Sequence, residues 1–133
     1  MRIIALLSVL ILFSCSEKKI KKYQPQNTEK LPVYLNKYVQ LSGVAYNVKL
    51  GALIAIENDS NVVWMDGLSH WPKGFYGQNI RVAGILIEKY DLPVFISTGK
   101  LTDPSGIPVP EGSDLKKASK RYLLKDIEWE LIK

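Results

Sequence analysis

Cysteine is almost missing from this chain: Cys15 is the only one among 133 residues. A single thiol closes no intrachain disulfide, so stability has to come from the core alone, and a zinc site built on cysteines is excluded. Histidine is as scarce, with His70 standing alone in Ser69-His70-Trp71. No Gly-x-Ser-x-Gly elbow surrounds a serine, so a Ser-His-Asp arrangement has no local support. The phosphate-binding P-loop and the dinucleotide glycine fingerprint are missing too. Glu57 and Asp59 do not match the ligand spacing of a calcium loop. Neither metal nor cofactor is expected, and no catalytic residue is assigned. Internal repeats are absent, and no apolar run reaches the length of a membrane span.

What the chain does have begins at its start. Arg2 is followed by the apolar run Ile3–Phe13, then by Ser14 and Cys15, and the sequence turns abruptly polar at Ser16-Glu17-Lys18-Lys19. A basic start and a short apolar segment ending in small residues follow the plan of a secretory signal peptide. Leu12-Phe13-Ser14-Cys15 resembles the lipobox of bacterial lipoproteins, although Phe13 stands where that family usually has a small residue. The resemblance implies removal of residues 1–14 and acylation of Cys15 as the new N-terminus. It also implies a place in the bacterial cell envelope. Ser16, rather than aspartate, directly after the cysteine points to the outer membrane by the sorting rule of enteric lipoproteins.

Residues 15–34 are polar, carry Pro25 and show no apolar periodicity, so they are expected to be a flexible linker. The formal charge of +5 is concentrated there. Lys18, Lys19, Lys21, Lys22 and Lys30 face only Glu17 and Glu29, whereas charges from Val33 onward nearly cancel. The basic excess thus belongs to a tether beside a membrane, and nucleic acid is not an expected partner.

Residues 35–133 read as one all-β domain. Tyr38–Tyr46 alternates Val39, Leu41, Gly43 and Ala45 against Gln40 and Ser42, the pattern of a half-buried strand. Further strands are predicted over Ala52–Ile56, Val62–Asp66, Asn79–Lys89 and Tyr122–Ile132. In the last, Leu123, Ile127, Trp129 and Leu131 are expected to share one face. Gly43 and Gly84 sit in mid-strand, as strong curvature requires. Leu68–Tyr76 is expected to cap one end of the sheet with its aromatic residues. Asp91–Lys120 is punctuated by proline and glycine and is expected to be a long loop. Within it lie a brief strand at Val94–Ile96 and a helical turn capped by Asp114.

That order of strands resembles the OB-fold, a small five-stranded Greek-key barrel. Gly77-Gln78-Asn79-Ile80-Arg81-Val82-Ala83-Gly84 is similar to the start of the fourth strand in many such domains. The resemblance implies a ligand-binding face at Tyr46, Asn47, Lys49 and Trp64, beside the 91–120 loop. Against it, Trp64, Trp71 and Trp129 also suit the core of so small a barrel. The expected function is a membrane-anchored, non-enzymatic binding module whose partner is an envelope protein or small ligand. The alternatives are a nucleic-acid-binding OB domain and a small envelope hydrolase using His70.

Overall fold

The period-two alternation forms the strand it predicts. In β1 (Tyr38–Val48), Val39, Leu41 and Ala45 are buried on one face while Ser42 and Tyr46 are exposed on the other. A turn at Lys49 and Leu50 leads into β2 (Gly51–Ile56), and a hairpin leads on to β3 (Val62–Met65). Irregular turns connect it to β4 (Asn79–Tyr90). Then come β5 (Val94–Ile96), β6 (Ile107–Val109), the one-turn helix α1 (Leu115–Ala118) and β7 (Lys120–Leu131). The computed structural model describes residues 21–25, 28–57, 59–97 and 106–133. The protein is mostly β, and no helix among the described residues is long and apolar enough to cross a membrane.

Five strands join in the closed barrel β1-β2-β3-β7-β4, with β4 pairing back onto β1. All neighbours are antiparallel except β3 and β7, which run parallel through Trp64↔Leu123 and Met65↔Leu124. β1 pairs with β4 as far as Val44 and with β2 from Gly43 onward, so it changes partner at Gly43. A Cβ at Gly43 would run into the Ala55 carbonyl, which is why no side chain fits at this crossing.

The interior is filled by Val39, Ile54, Val63, Ile80, Val82 and Leu86, all fully buried. Trp71 closes the core from the β3–β4 connection, the plug expected of Leu68–Tyr76. Its indole Nε1 donates to the Leu53 carbonyl at 2.9 Å, and Trp129 meets its ring edge-on with centroids 5.4 Å apart. Satisfying the indole N–H removes the desolvation cost that burying it would otherwise carry.

Three expectations are corrected. The first concerns β7. Ala83 pairs with Glu128, yet Ile85 pairs with Lys125, so β7 carries an extra residue opposite Gly84. Asp126, at φ 53°, takes the left-handed conformation that this β-bulge demands. A Cβ on Gly84 would lie 2.8 Å from the Lys125 carbonyl oxygen and 3.0 Å from Ile127 Cγ2. The bulge also shifts the alternation by one. Tyr122 and Leu124 face the interior before it, and Ile127 and Trp129 after it. Leu123 therefore does not share a face with Ile127 and Trp129, as simple alternation predicts, but belongs to a separate cluster with Leu53 and Trp64.

The second concerns the linker. Thr28–Tyr34 is a 310 helix rather than flexible chain. Its three-residue period points Thr28 and Leu31 inward, both buried, and Leu31 joins the core. Tyr23 already bridges Val39 of β1 in parallel: its N–H donates to the Tyr38 carbonyl at 3.0 Å, and its carbonyl accepts from Gln40 N at 2.8 Å. Packing against the barrel thus begins by Tyr23, well before Leu35. Cys15 and the signal segment lie outside the described residues.

The third concerns the 91–120 loop. The short strand at Val94–Ile96 is present, and Asp114 caps α1 by accepting from Lys116 N and Lys117 N at 3.1 and 3.2 Å. The sequence gives no sign of β6, which pairs in parallel with β5. Pro108 in its middle argues against a strand, and is tolerated because the pair has only two members, both of them edges.

Candidate functional site

The outer wall of the barrel carries an apolar row that crosses all five strands. Tyr46 of β1 pairs with Leu53 of β2, Leu53 with Trp64 of β3, Trp64 with Leu123 of β7, and Leu123 with Ile87 of β4. Paired residues share a face, so these side chains all point away from the interior. The row is graded in exposure. Tyr46 is 40% exposed, whereas Leu53, Trp64 and Leu123 are buried beneath Leu50, Leu92 and their neighbours.

Arg121 completes the cover. Its guanidinium lies 5.1 Å above the Trp64 ring, and its Nε and second terminal nitrogen reach the two oxygens of Asp91 at 2.6 and 2.9 Å. Stacking on an indole and forking onto a carboxylate are both uses to which guanidinium is suited and ammonium is not. The hydrogen bond from Arg121 holds the Asp91 carboxyl below its ordinary value. Two grooves flank Arg121. One, of about 320 Å³, runs past Lys49, Asp66, Ser69 and Leu123. The other, of about 440 Å³, has Lys117 and Lys120 on one side and Thr28, Ser60 and Asn61 on the other.

The polar wall of the larger groove is tied together by Asp59. Its Oδ2 accepts from Thr28 N at 2.8 Å and Thr28 Oγ1 at 2.6 Å, and its Oδ1 accepts from Asn61 N at 3.0 Å. These donors, the Thr28 hydroxyl foremost, stabilise the charged form and pull the carboxyl down from 3.8 to about 2. The tie joins the start of the 310 helix to the β2–β3 hairpin.

The residues that the sequence singles out fall in different places. Tyr46 is exposed on the row and meets Tyr76 edge-on, with ring centroids 6.2 Å apart. Lys49 is exposed in the turn at the lip of the smaller groove. Trp64 lines the larger groove but is only 8% exposed, and Arg121 already occupies a face of its ring. Asn47 turns the other way, and its Oδ1 accepts from Trp71 N at 2.6 Å. Asn47 therefore positions the core plug. His70 is exposed with Ser69 Oγ 3.0 Å from its Nδ1, and no other hydrogen bond to its ring is formed among the described residues. Among those residues no group of three histidine, cysteine or acidic side chains could hold a metal ion.

Arg121 escaped the sequence reading. Its signal is indirect: the Lys120-Arg121-Tyr122 start of the last strand places a cation one pleat from the row, but the partner Trp64 comes from a strand far away in sequence. No protein family, curated protein or solved structure matches the chain.

Proposed function

We propose that this chain is a lipid-anchored envelope protein whose barrel, of the OB type, works by binding an envelope protein or small ligand rather than by catalysis. The observation that carries the reading is the ring order β1-β2-β3-β7-β4, closed by a parallel contact between β3 and β7. A five-stranded Greek-key barrel with those neighbours presents the outer face of its second and third strands, framed by the connections after its first and fourth strands. Here that face is the Tyr46–Trp64 part of the row, framed by Lys49 and by the segment that supplies Leu92. The anchor is Cys15, in Leu12-Phe13-Ser14-Cys15, and the outer membrane is the compartment proposed for it.

Two measurements test the two halves. A fatty-acid analogue fed to cells labels the wild type and leaves Cys15→Ser unlabelled, and equal labelling of both ends the anchor reading. A photoreactive residue replacing Tyr46 gives a discrete adduct in intact cells, lost when Arg121→Glu is added. If position 46 yields no more adduct than position 133, this face is not the one used.

A further inference from the structure

We infer that the face built from Tyr23, the 310 helix and Lys37 rests on an anionic bilayer in a fixed orientation once Cys15 carries its lipid. This depends on the lipid-anchored reading above and adds to it a docking surface and the chemistry of what it docks on.

Covalent reach comes first. Tyr23 is bonded to β1, and Lys21 and Lys22 are in place beside it. Six Cα steps separate Cys15 from Lys21, and a fully extended chain covers at most about 3.6 Å per step, so covalent reach limits the Cα of the anchor residue to about 22 Å from that of Lys21. A tether this short keeps the barrel beside the headgroups, and Tyr23 marks the part of it nearest the anchor along the chain.

The chemistry of that surface suits the position. Lys21, Lys22, Lys30 and Lys37 are all exposed; Glu29 is the one carboxylate within residues 21–37, and Glu128 and Glu130 share a groove with Lys22, which leaves Lys21, Lys30 and Lys37 as the main basic side chains of this face. The ammonium groups of Lys21 and Lys37 both sit over the Tyr23 ring, at 5.0 and 5.1 Å from its centroid, and Lys22 sits over Tyr38 at 5.7 Å. A ring holds an ammonium in place without neutralising it, which leaves the charge available to lipid phosphate. Tyr34 packs against Tyr23 with centroids 5.4 Å apart. Val33 follows Lys30 by one turn of the 310 helix and is 70% exposed. Tyrosine rings at headgroup level, lysines reaching phosphate and an apolar tip entering the acyl boundary are the parts of an interfacial contact. An acidic soluble macromolecule would also meet these lysines. The bilayer is favoured because the anchor keeps it permanently within reach, at high effective concentration.

The experiment uses the mature, acylated chain. Acylation occupies Cys15, so a single introduced cysteine carries the fluorophore, either in Val33→Cys or in Val48→Cys at the other end of β1. Vesicles of phosphatidylcholine, with or without phosphatidylglycerol, contain a lipid bearing a nitroxide on its headgroup. In phosphatidylglycerol vesicles position 33 is expected to be quenched several-fold more strongly than position 48. The difference is expected to collapse in phosphatidylcholine alone, at high salt and in Lys30→Glu/Lys37→Glu, each lysine contributing about fivefold at low salt. Both lysines are exposed, so circular dichroism of the double variant is expected to match the wild type. Equal quenching at 33 and 48, or a preference for 33 that ignores lipid charge, overturns the inference. A mass showing no acyl chain on Cys15 removes the anchored reading itself, and the inference with it. An acylated protein with equal quenching removes only the inference.

Discussion

Inside the barrel, Ile54 and Leu86 are sealed by strands on every side. On the outer wall, Leu53, Trp64 and Leu123 are nearly as well buried, but under a thin cover of Leu50, Leu92 and one guanidinium. Both regions use the same strands. Leu53 and Ile54 are chain neighbours, as are Val63 and Trp64, and Leu123 and Leu124. One wall of the ring is thus apolar on both faces, while the β1–β4 wall carries Gln40, Ser42 and Arg81 outward. The two-faced wall is where the grooves and the Arg121 clamp lie. Burial there serves to hold a surface feature in place, and burial inside serves to hold the fold.

The comparison can be broken most severely at its centre. Trp71→Ala is expected to cost about 4 kcal/mol, because it empties a sealed site and removes both the hydrogen bond to the Leu53 carbonyl and the edge contact with Trp129. Urea unfolding followed by circular dichroism measures it. The next test sets one substitution against itself. Leu86→Ala is expected to cost about 4 kcal/mol and Leu123→Ala about 2.5 kcal/mol, because the thin cover over Leu123 can settle into the gap while the closed ring cannot. Equal losses would show that the two regions are one core. Gly84→Ala is expected to cost about 2 kcal/mol, since its Cβ would press on the Lys125 carbonyl and Ile127. Deleting the bulge residue Asp126 leaves Leu124, Lys125 and Ile127 in plain alternation, so Ile127 and Trp129 stay inward and the stability of the double variant reports on the local twist that the bulge adds.

The smallest effect is a pH dependence. Asp59 titrates at about 2 when folded, below its ordinary 3.8, so its tie to Thr28 contributes fully above about pH 4 and is lost as pH falls towards 2. Wild type should lose stability relative to Asp59→Asn across that window and nowhere above it. An amide chemical-shift titration of Thr28 locates the midpoint.

Much of the interior was legible in the sequence because β1 buries one face and so alternates cleanly. Where β2, β3 and β7 bury both faces, alternation gives way to Ala52-Leu53-Ile54, Val62-Val63-Trp64-Met65 and Leu123-Leu124. Such runs tell of two-sided burial but not of which residue faces which way. On β7 the Asp126 bulge then reverses the parity, and nothing local announces a positive φ at an aspartate. The 310 helix was missed for a related reason: a three-residue period carried by Thr28, Leu31 and Tyr34 is too short and too polar to stand out from a linker. Of the expected binding residues, Tyr46 and Lys49 needed only a strand end and a turn to be placed. Asn47 and Trp64 depended on Trp71 and Arg121, contacts that exist only after the ring has closed.

The β3–β7 contact has a consequence for how the molecule is made. Its two paired positions are the shortest seam of the ring and join segments far apart along the chain. Until β7 emerges, β3 and β4 each keep an open edge and the apolar residues of both regions stay wet. A chain that emerges from its N-terminus onward would therefore keep its ring open until Lys120–Leu131 arrives, and would shut in one late step.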